Sequence, residues 1–356
     1  MQQNEKQFFL NHSKIDVHFK QSKDDFVVHE IPLYEFSGEG EHIVLTMRKK
    51  DLSTWDAVQI ISDTIGCKSR DIGYAGLKDK NAMTVQCISM PKTFEEKIRK
   101  FEHPQIKFLK IEYHNNKIRV GHLKGNRFFI RLKRVLDRDN LKLQNVLESI
   151  EKYGMPNYFG FQRFGIDGDN YLKGKQLCEG TLKVNNQKLS QMYLNAYQSI
   201  LFNEWLSKRI ELSKLIDTFE PKELVERLGI DLTTLKALKA QKHPFKVLEG
   251  DVMEHYPYGK IFYAEDVESE AEKFFNKDRV PTGLLAGKKA KLAVGLAKRF
   301  EEEFDKKTIV DGTRRYAWIF PSEIVSKYDD EKNHLELEFT LPKGCYATEL
   351  IRELIH

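Results

Sequence analysis

Ile72-Gly73-Tyr74-Ala75-Gly76-Leu77-Lys78-Asp79-Lys80-Asn81-Ala82-Met83-Thr84-Val85-Gln86 is the stretch around which the reading of the chain turns. Apolar and β-branched residues at its two ends predict strands over 72–75 and 83–90. The glycine and polar residues between them predict a loop. That loop holds one acid, Asp79, between Lys78 and Lys80. Opposite charge on both sides favours the ionised carboxylate, and an ionised carboxylate can serve as a nucleophile. A loop aspartate is also an ordinary turn cap, and the loop alone leaves both readings open.

Working outward, 25–31 and 42–47 read as strands flanking Ser37-Gly38-Glu39-Gly40, a hairpin or short meander. A helix follows, with Thr54 as N-cap, Trp55, Val58, Ile61 and Ile65 on one face, and Gly66 as its stop. Strands over 106–113 and 118–123 form a predicted hairpin across His114-Asn115-Asn116-Lys117, and 128–135 alternates apolar with basic residues. The spacing of Leu143, Val146, Leu147 and Ile150 predicts a helix over 137–153, stopped by Gly154. From Met155 to 308 the texture is mostly helical, including runs over 189–209 and 266–278. Strand periodicity returns over 335–341, and a short helix closes the chain over 347–355. Strands at both ends with helices between predict an α+β protein. A sheet domain built from 1–154 and 309–356 is interrupted by an inserted, mainly helical domain over 155–308, with a substrate cleft between them.

The 356 residues, 40% hydrophobic and 31% charged, suffice for such a core and a soluble surface. No stretch has the length of apolar sequence a membrane span needs, and the start resembles no secretory leader; the expectation is a cytoplasmic protein. Cys67, Cys87, Cys178 and Cys345 form no CxxC pair, so reduced thiols are expected rather than a zinc ribbon or disulfide framework. The 11 histidines show no metal-ligand spacing. The net charge of +5 is unevenly spread: Lys92 to Arg134 carries thirteen Lys and Arg against four Glu, interleaved with aromatics and histidines. That composition suits a phosphate backbone with bases to stack on, or equally strand faces on which cations suppress edge pairing.

The string GYAGLKDKNAMTVQ resembles the signature of the TruD family of tRNA pseudouridine synthases. Further blocks resemble the same family in the same order: Phe19-Lys20 with Asp25-Phe26-Val27-Val28, Gly38-Glu39-Gly40-Glu41-His42, Gly125-Asn126-Arg127-Phe128, and 156–165 (PNYFGFQRFG). They continue with Ala196-Tyr197-Gln198-Ser199, Gly250-Asp251, Pro281-Thr282-Gly283 and 341–348 (LPKGCYAT), so that they span nearly the whole chain.

The resemblance implies a pseudouridine synthase catalytic domain with a mixed or antiparallel sheet and an inserted TRUD domain. It implies Asp79 as the catalytic nucleophile and Lys20 as its ion-pair partner. Phe26, Asn126, Phe128 and Tyr346 would line the uridine site, Tyr346 standing where relatives often carry Phe. Lys78, Lys80, Lys124, Arg127 and Arg163 are the expected RNA-binding cations. The implied reaction is isomerisation of uridine in tRNA, at position 13 of the D arm, without metal, cofactor or obligatory protein partner. Read without the family, Phe26 and Phe128 are as well explained as core, Asn126 as a turn residue, Lys20 as a surface lysine, and 156–165 as a hinge. Two further functional readings stand beside the synthase. One is a non-catalytic RNA chaperone using the same basic cleft. The other is a carboxylate-dependent nucleoside hydrolase, a chemistry that ordinarily needs two paired acids.

Overall fold

A computed structural model describes residues 6–19, 22–78, 80 and 82–356; Lys20 and Asp79 of the expected site lie outside the described residues. The first unit runs β1 (Phe26–Pro32), β2 (His42–Lys50), α1 (Thr54–Ile65), β3 (Gly73–Tyr74), β4 (Met83–Pro91), α2 (Glu95–Arg99), β5 (Ile106–His114), β6 (Leu123–Lys133) and α3 (Asp137–Tyr153). The middle follows with β7 (Met155–Pro156), α4 (Asn170–Glu179), α5 (Gln187–Thr218), α6 (Pro221–Leu228), α7 (Leu232–Ala240), β8 (Val252–His255), β9 (Ile261–Tyr263), α8 (Val267–Phe275), β10 (Arg279–Leu285) and α9 (Gly295–Glu301). Then come β11 (Thr313–Tyr316), β12 (Trp318–Ile319), β13 (Ser322–Asp329), β14 (His334–Pro342) and α10 (Ala347–Ile355).

The large sheet has the order β13-β14-β6-β1-β4-β2-β5, with β3 added beside β4. Among the described residues of this sheet only β1 and β4 run parallel; the other neighbours are antiparallel, so the fold is α+β around a mixed sheet. Cross-strand partners share a face. The registers Val28↔Thr84, Val28↔Phe128, Glu30↔Asn126 and Phe128↔Phe339 therefore put these residues on one side. On that side α3 and α10 cover β6 and β14 through Leu143, Val146, Ile150, Leu350 and Leu354. Val58, Ile61 and Ile65 of α1 cover β2 and β4. A gap is left between the two helical covers.

Several expectations are corrected. β1 and β2 form no hairpin: β4 lies between them, parallel to one and antiparallel to the other. Residues 118–122 are turn and coil, so no hairpin joins them to β5, which pairs with β2, while β6 pairs with β1 and β14. The helix N-cap is Ser53, whose Oγ accepts from Asp56 N at 3.1 Å, and Thr54 is the first helical residue. Trp55 is 52% exposed, edge-on to Tyr74 and beneath the Lys188 ammonium. The mainly helical middle also holds a four-stranded sheet, β11-β10-β8-β9. Its strands of three to seven residues are too short for the two-residue period to stand out from the helical pattern. Gly66 and Gly154 end α1 and α3 at positive φ, as expected. Among the described residues no helix is long and apolar enough to cross a membrane.

The middle unit has its own aromatic core around Phe202, Trp205, Phe245, Phe274 and Trp318. It meets the first unit at the end of α3. The Tyr153 carbonyl, one of the acceptors a helix leaves unused, takes the Trp318 indole N–H at 2.6 Å and lies 2.8 Å from His243 Nε2. His243 Nδ1 accepts from Phe245 N at 3.0 Å, so the ring is the neutral Nε2–H tautomer. Burial holds its pKa down to about 3.

That value lies below the roughly 6.5 of an unfolded histidine. Stability from the neutral ring is therefore complete above the unfolded value and is lost as the pH falls toward the folded one. Between pH 7 and 5 this residue should cost about 2 kcal/mol, seen as a lower urea midpoint. His243→Gln, whose amide keeps a donor for Tyr153, should lose that part of the pH dependence.

Candidate active site

The gap between the helical covers is floored by the sheet and closed by two loops. A pocket of about 280 Å³ lies there, lined by Phe26 and Val28 of β1, Asn126 and Phe128 of β6, 76–78 from the loop after β3, 343–348 from the strap between β14 and α10, and Gln162. Five of the expected site residues thus share it: Phe26, Lys78, Asn126, Phe128 and Tyr346.

Each is held by its surroundings. Phe26 and Phe128 are 3% and 6% exposed, their centroids 6.2 Å apart, and Phe128 stacks on Phe339 at 5.4 Å. They are core residues that also line the floor of the pocket. The Asn126 Oδ1 is buried, and among the described residues it has no hydrogen-bond partner. A buried amide oxygen left unsatisfied costs about 1–3 kcal/mol, and here it stands in the wall of a cavity. Asn126 is no turn residue; it belongs to β6, opposite Glu30 and Leu341. The Tyr346 ring lies against the backbone of Gly160, where an added Cβ would meet its Cδ1 at 2.7 Å. Two sequence blocks 186 residues apart, the one with Gln162 and the one with Thr348, meet at this point.

The loop before Asp79 is fastened from three directions. The Thr54 hydroxyl accepts from Lys78 N at 2.9 Å and donates to Gln86 Oε1 at 2.9 Å, and Gln86 Nε2 donates to the Gly76 carbonyl at 3.3 Å. The Lys78 ammonium donates to Glu30 Oε2 at 2.6 Å. Lys78 was expected among the RNA-binding cations. It is 8% exposed, and its ammonium is paired with a buried carboxylate. The parts Glu30, Thr54 and Gln86 play in holding this loop escaped the sequence reading, although an acid inside Phe26-Val27-Val28-His29-Glu30-Ile31 was a visible anomaly.

The other expected cations are dispersed. Lys80 is exposed. Arg127 points to the opposite sheet face and pairs with Glu338 at 2.6 Å, so it is not brought to the pocket. Arg163 donates to Ser199 Oγ at 3.0 Å and lies over the Phe159 ring. Lys107 and Lys110 lie exposed on β5, the sheet edge, which fits the edge-protection reading of the basic stretch. Lys124 lines a larger cleft of about 850 Å³ between the two units, with Tyr256, Tyr258, Tyr316 and Phe320 and the cations Lys277, Arg315 and Lys343. This cleft meets the smaller pocket at Lys343 and Cys345. Burial raises the pKa of the Glu254 carboxyl, which lines the cleft. Burial likewise pushes the Cys345 thiol up to about 11, so it stays protonated. Arg315, also missed, straps the units together through Asn157 Oδ1 at 2.7 Å and the Gly344 carbonyl at 2.9 Å.

A family model for tRNA pseudouridine synthase D (TruD) matches residues 2–184 and 170–354. The chain is 55% identical over 350 residues to the tRNA pseudouridine synthase D of Nitratiruptor sp., across 98% of this chain and 97% of that one. It is 54% identical over 355 residues to that of Wolinella succinogenes, across 99% and 98%. Its fold is shared with the crystal structure of a Methanosarcina mazei protein assigned to the same synthase family, with a TM-score of 0.71 at 20% identity, across 98% and 95% of the two chains.

Thr54→Val keeps the side-chain shape but removes the acceptor for Lys78 N and the donor for Gln86. It should destabilise the protein by about 1–3 kcal/mol and speed hydrogen exchange at the 76–78 amides more than elsewhere in the sheet. Uniform exchange across the sheet would show that the loop is not held there.

Proposed function

The chain belongs to the tRNA pseudouridine synthase D (TruD) family, and from that premise we propose that it isomerises uridine to pseudouridine in tRNA, at position 13 of the D arm, with Asp79 as nucleophile. The observation that carries the reading is the meeting of Phe26, Lys78, Asn126, Phe128 and Tyr346 in one pocket, from sequence blocks that each resemble the family. Lys78 is the chain neighbour of Asp79.

In this reaction the bond from ribose C1′ to uracil N1 breaks, the freed base turns, and C5 of the same base bonds to C1′. The C5 proton leaves and N1 gains one, so atoms and electrons balance within the nucleotide. The Asp79 carboxylate supplies the attacking pair, to C1′ or to C6 of the base, and Lys20 orients it and keeps it charged. The nucleotide must leave its stack, costing a few kcal/mol; an aromatic partner returns about 1–3 kcal/mol. Phe26 and Phe128, almost fully buried, form the floor for the base, and Tyr346 faces it from the strap. The unsatisfied Asn126 amide oxygen accepts the uracil N3–H, the donor of that base edge.

The flanking RNA strand runs in the larger cleft, where aromatic rings alternate with Lys124, Arg315 and Lys343. The division into a catalytic domain over 1–154 and 309–356 and a TRUD domain over 155–308 belongs to the same reading. The pairing of β11 with β10 carries the inserted sheet past 308 to Tyr316. The site of action is the cytoplasm.

Asp79→Ala and Asp79→Asn should abolish pseudouridine formation on a tRNA transcript while the tRNA Kd stays within about threefold. Near-normal turnover by Asp79→Ala would refute the assignment. Replacing Lys124 and Lys343 by Ala should lower the slope of log K against log salt by about one unit per lost phosphate contact. Arg127→Ala, whose partner is Glu338, should leave that slope unchanged; the reverse pattern would put the RNA on the other sheet face.

A further inference from the structure

We propose that Glu30 is a positioning residue: its ion pair with Lys78 fixes the loop that bears the nucleophile, and turnover depends on that pair. The inference rests on the synthase reading above. Glu30 is an acid at a buried position of β1 and faces the same side of the sheet as Asn126 and Phe128. Its side chain is 1% exposed and that of Lys78 6%. Both carboxylate oxygens are used, Oε2 by the Lys78 ammonium at 2.6 Å and Oε1 by Cys87 N at 3.2 Å.

Burial makes stability a poor explanation for such a pair. Two charges taken out of water lose hydration that their attraction barely restores, and well-packed apolar substitutes are often neutral or stabilising. What the pair supplies is geometry. Lys78 is held twice, by its backbone N–H on Thr54 and by its ammonium on Glu30, so the residue next to Asp79 in the chain has both its position and its direction set. A displacement of about 1 Å at a reacting group costs on the order of a hundredfold in rate.

The test is the double variant Glu30→Met/Lys78→Met, which replaces the ion pair by apolar side chains of similar length. Urea midpoint, tRNA Kd and single-turnover rate are measured beside the wild type on a tRNA transcript. The expected result is a folded protein whose midpoint is lowered only by the lost acceptor for Cys87 N, a Kd within threefold, and a rate at least fiftyfold lower. Lys78→Arg, which keeps the charge, should retain at least a tenth of the rate. A folded double variant with a rate within threefold of wild type overturns the proposal. If the double variant does not fold, Glu30→Gln decides. It keeps the shape and the acceptor for Cys87 N but loses the charge. A folded variant with a rate at least tenfold lower and Kd preserved supports positioning, its midpoint falling because the Lys78 ammonium loses its counter-charge; an unchanged rate, or loss of the fold, overturns it. If the wild type forms no pseudouridine, the synthase reading itself has failed, which is a separate outcome.

Discussion

Strand β6 must be hydrogen-bonded along both edges at once, to β1 on one side and β14 on the other, and the rest of the molecule depends on that double pairing. Side chains alternate across a strand, so a slip of one residue would turn Phe128, Ile130 and Leu132 away from the core and bury Arg127 and Arg131. With the register as found, Phe128 lies between Val28 and Phe339, and Asn126 between Glu30 and Leu341. The same register brings the end of β14, and so the strap with Tyr346, over the pocket. Floor, wall and lid are consequences of one ladder.

Much of this was legible in the sequence because the signals were local and strong. α3 and α10 begin and end where periodicity and glycine placed them, and β14 shows the alternation expected of it. Strand order was not legible, since nothing in the segments of β1 and β2 says that a third strand will enter between them. Within the site, the family blocks pointed to the residues that share the pocket, but not to how they are held. Lys78 reads as a surface cation in the sequence, and only the fold reveals Glu30 beneath it. Arg127 sits one residue from Asn126, and the two-residue period sends the pair to opposite faces. Thr54 and Gln86 carry no signal of their own, because their part depends on being near Lys78 and Gly76 in space.

The charged pairs divide by what they fix. Arg127–Glu338 and Lys110–Glu112 are exposed, and such pairs contribute about 0–1 kcal/mol. Glu30–Lys78, Arg209–Asp251 and Arg314–Glu301 are buried and well hydrogen-bonded. Arg209 grips Asp251 with two nitrogens and also donates to the Lys246 carbonyl, pinning the loop before β8. Arg314 ties β11 to Glu301 at the end of α9. Each buried pair sits where a loop or an element end must be held in one orientation.

Arg127 of β6 and Glu338 of β14, joined by an ion pair across the neighbouring strands, stand 211 positions apart along the chain. A ribosome adding about 5–20 residues per second would expose the finished β6 for roughly ten to forty seconds before its second partner emerged. Through that interval one edge of a long strand with an apolar face stands open. The intervening segment, with its own sheet and aromatic core, is able to fold while the outer sheet waits. Tyr346, which lies beyond β14, arrives only after that edge is closed, so the pocket is complete only once synthesis has passed both units.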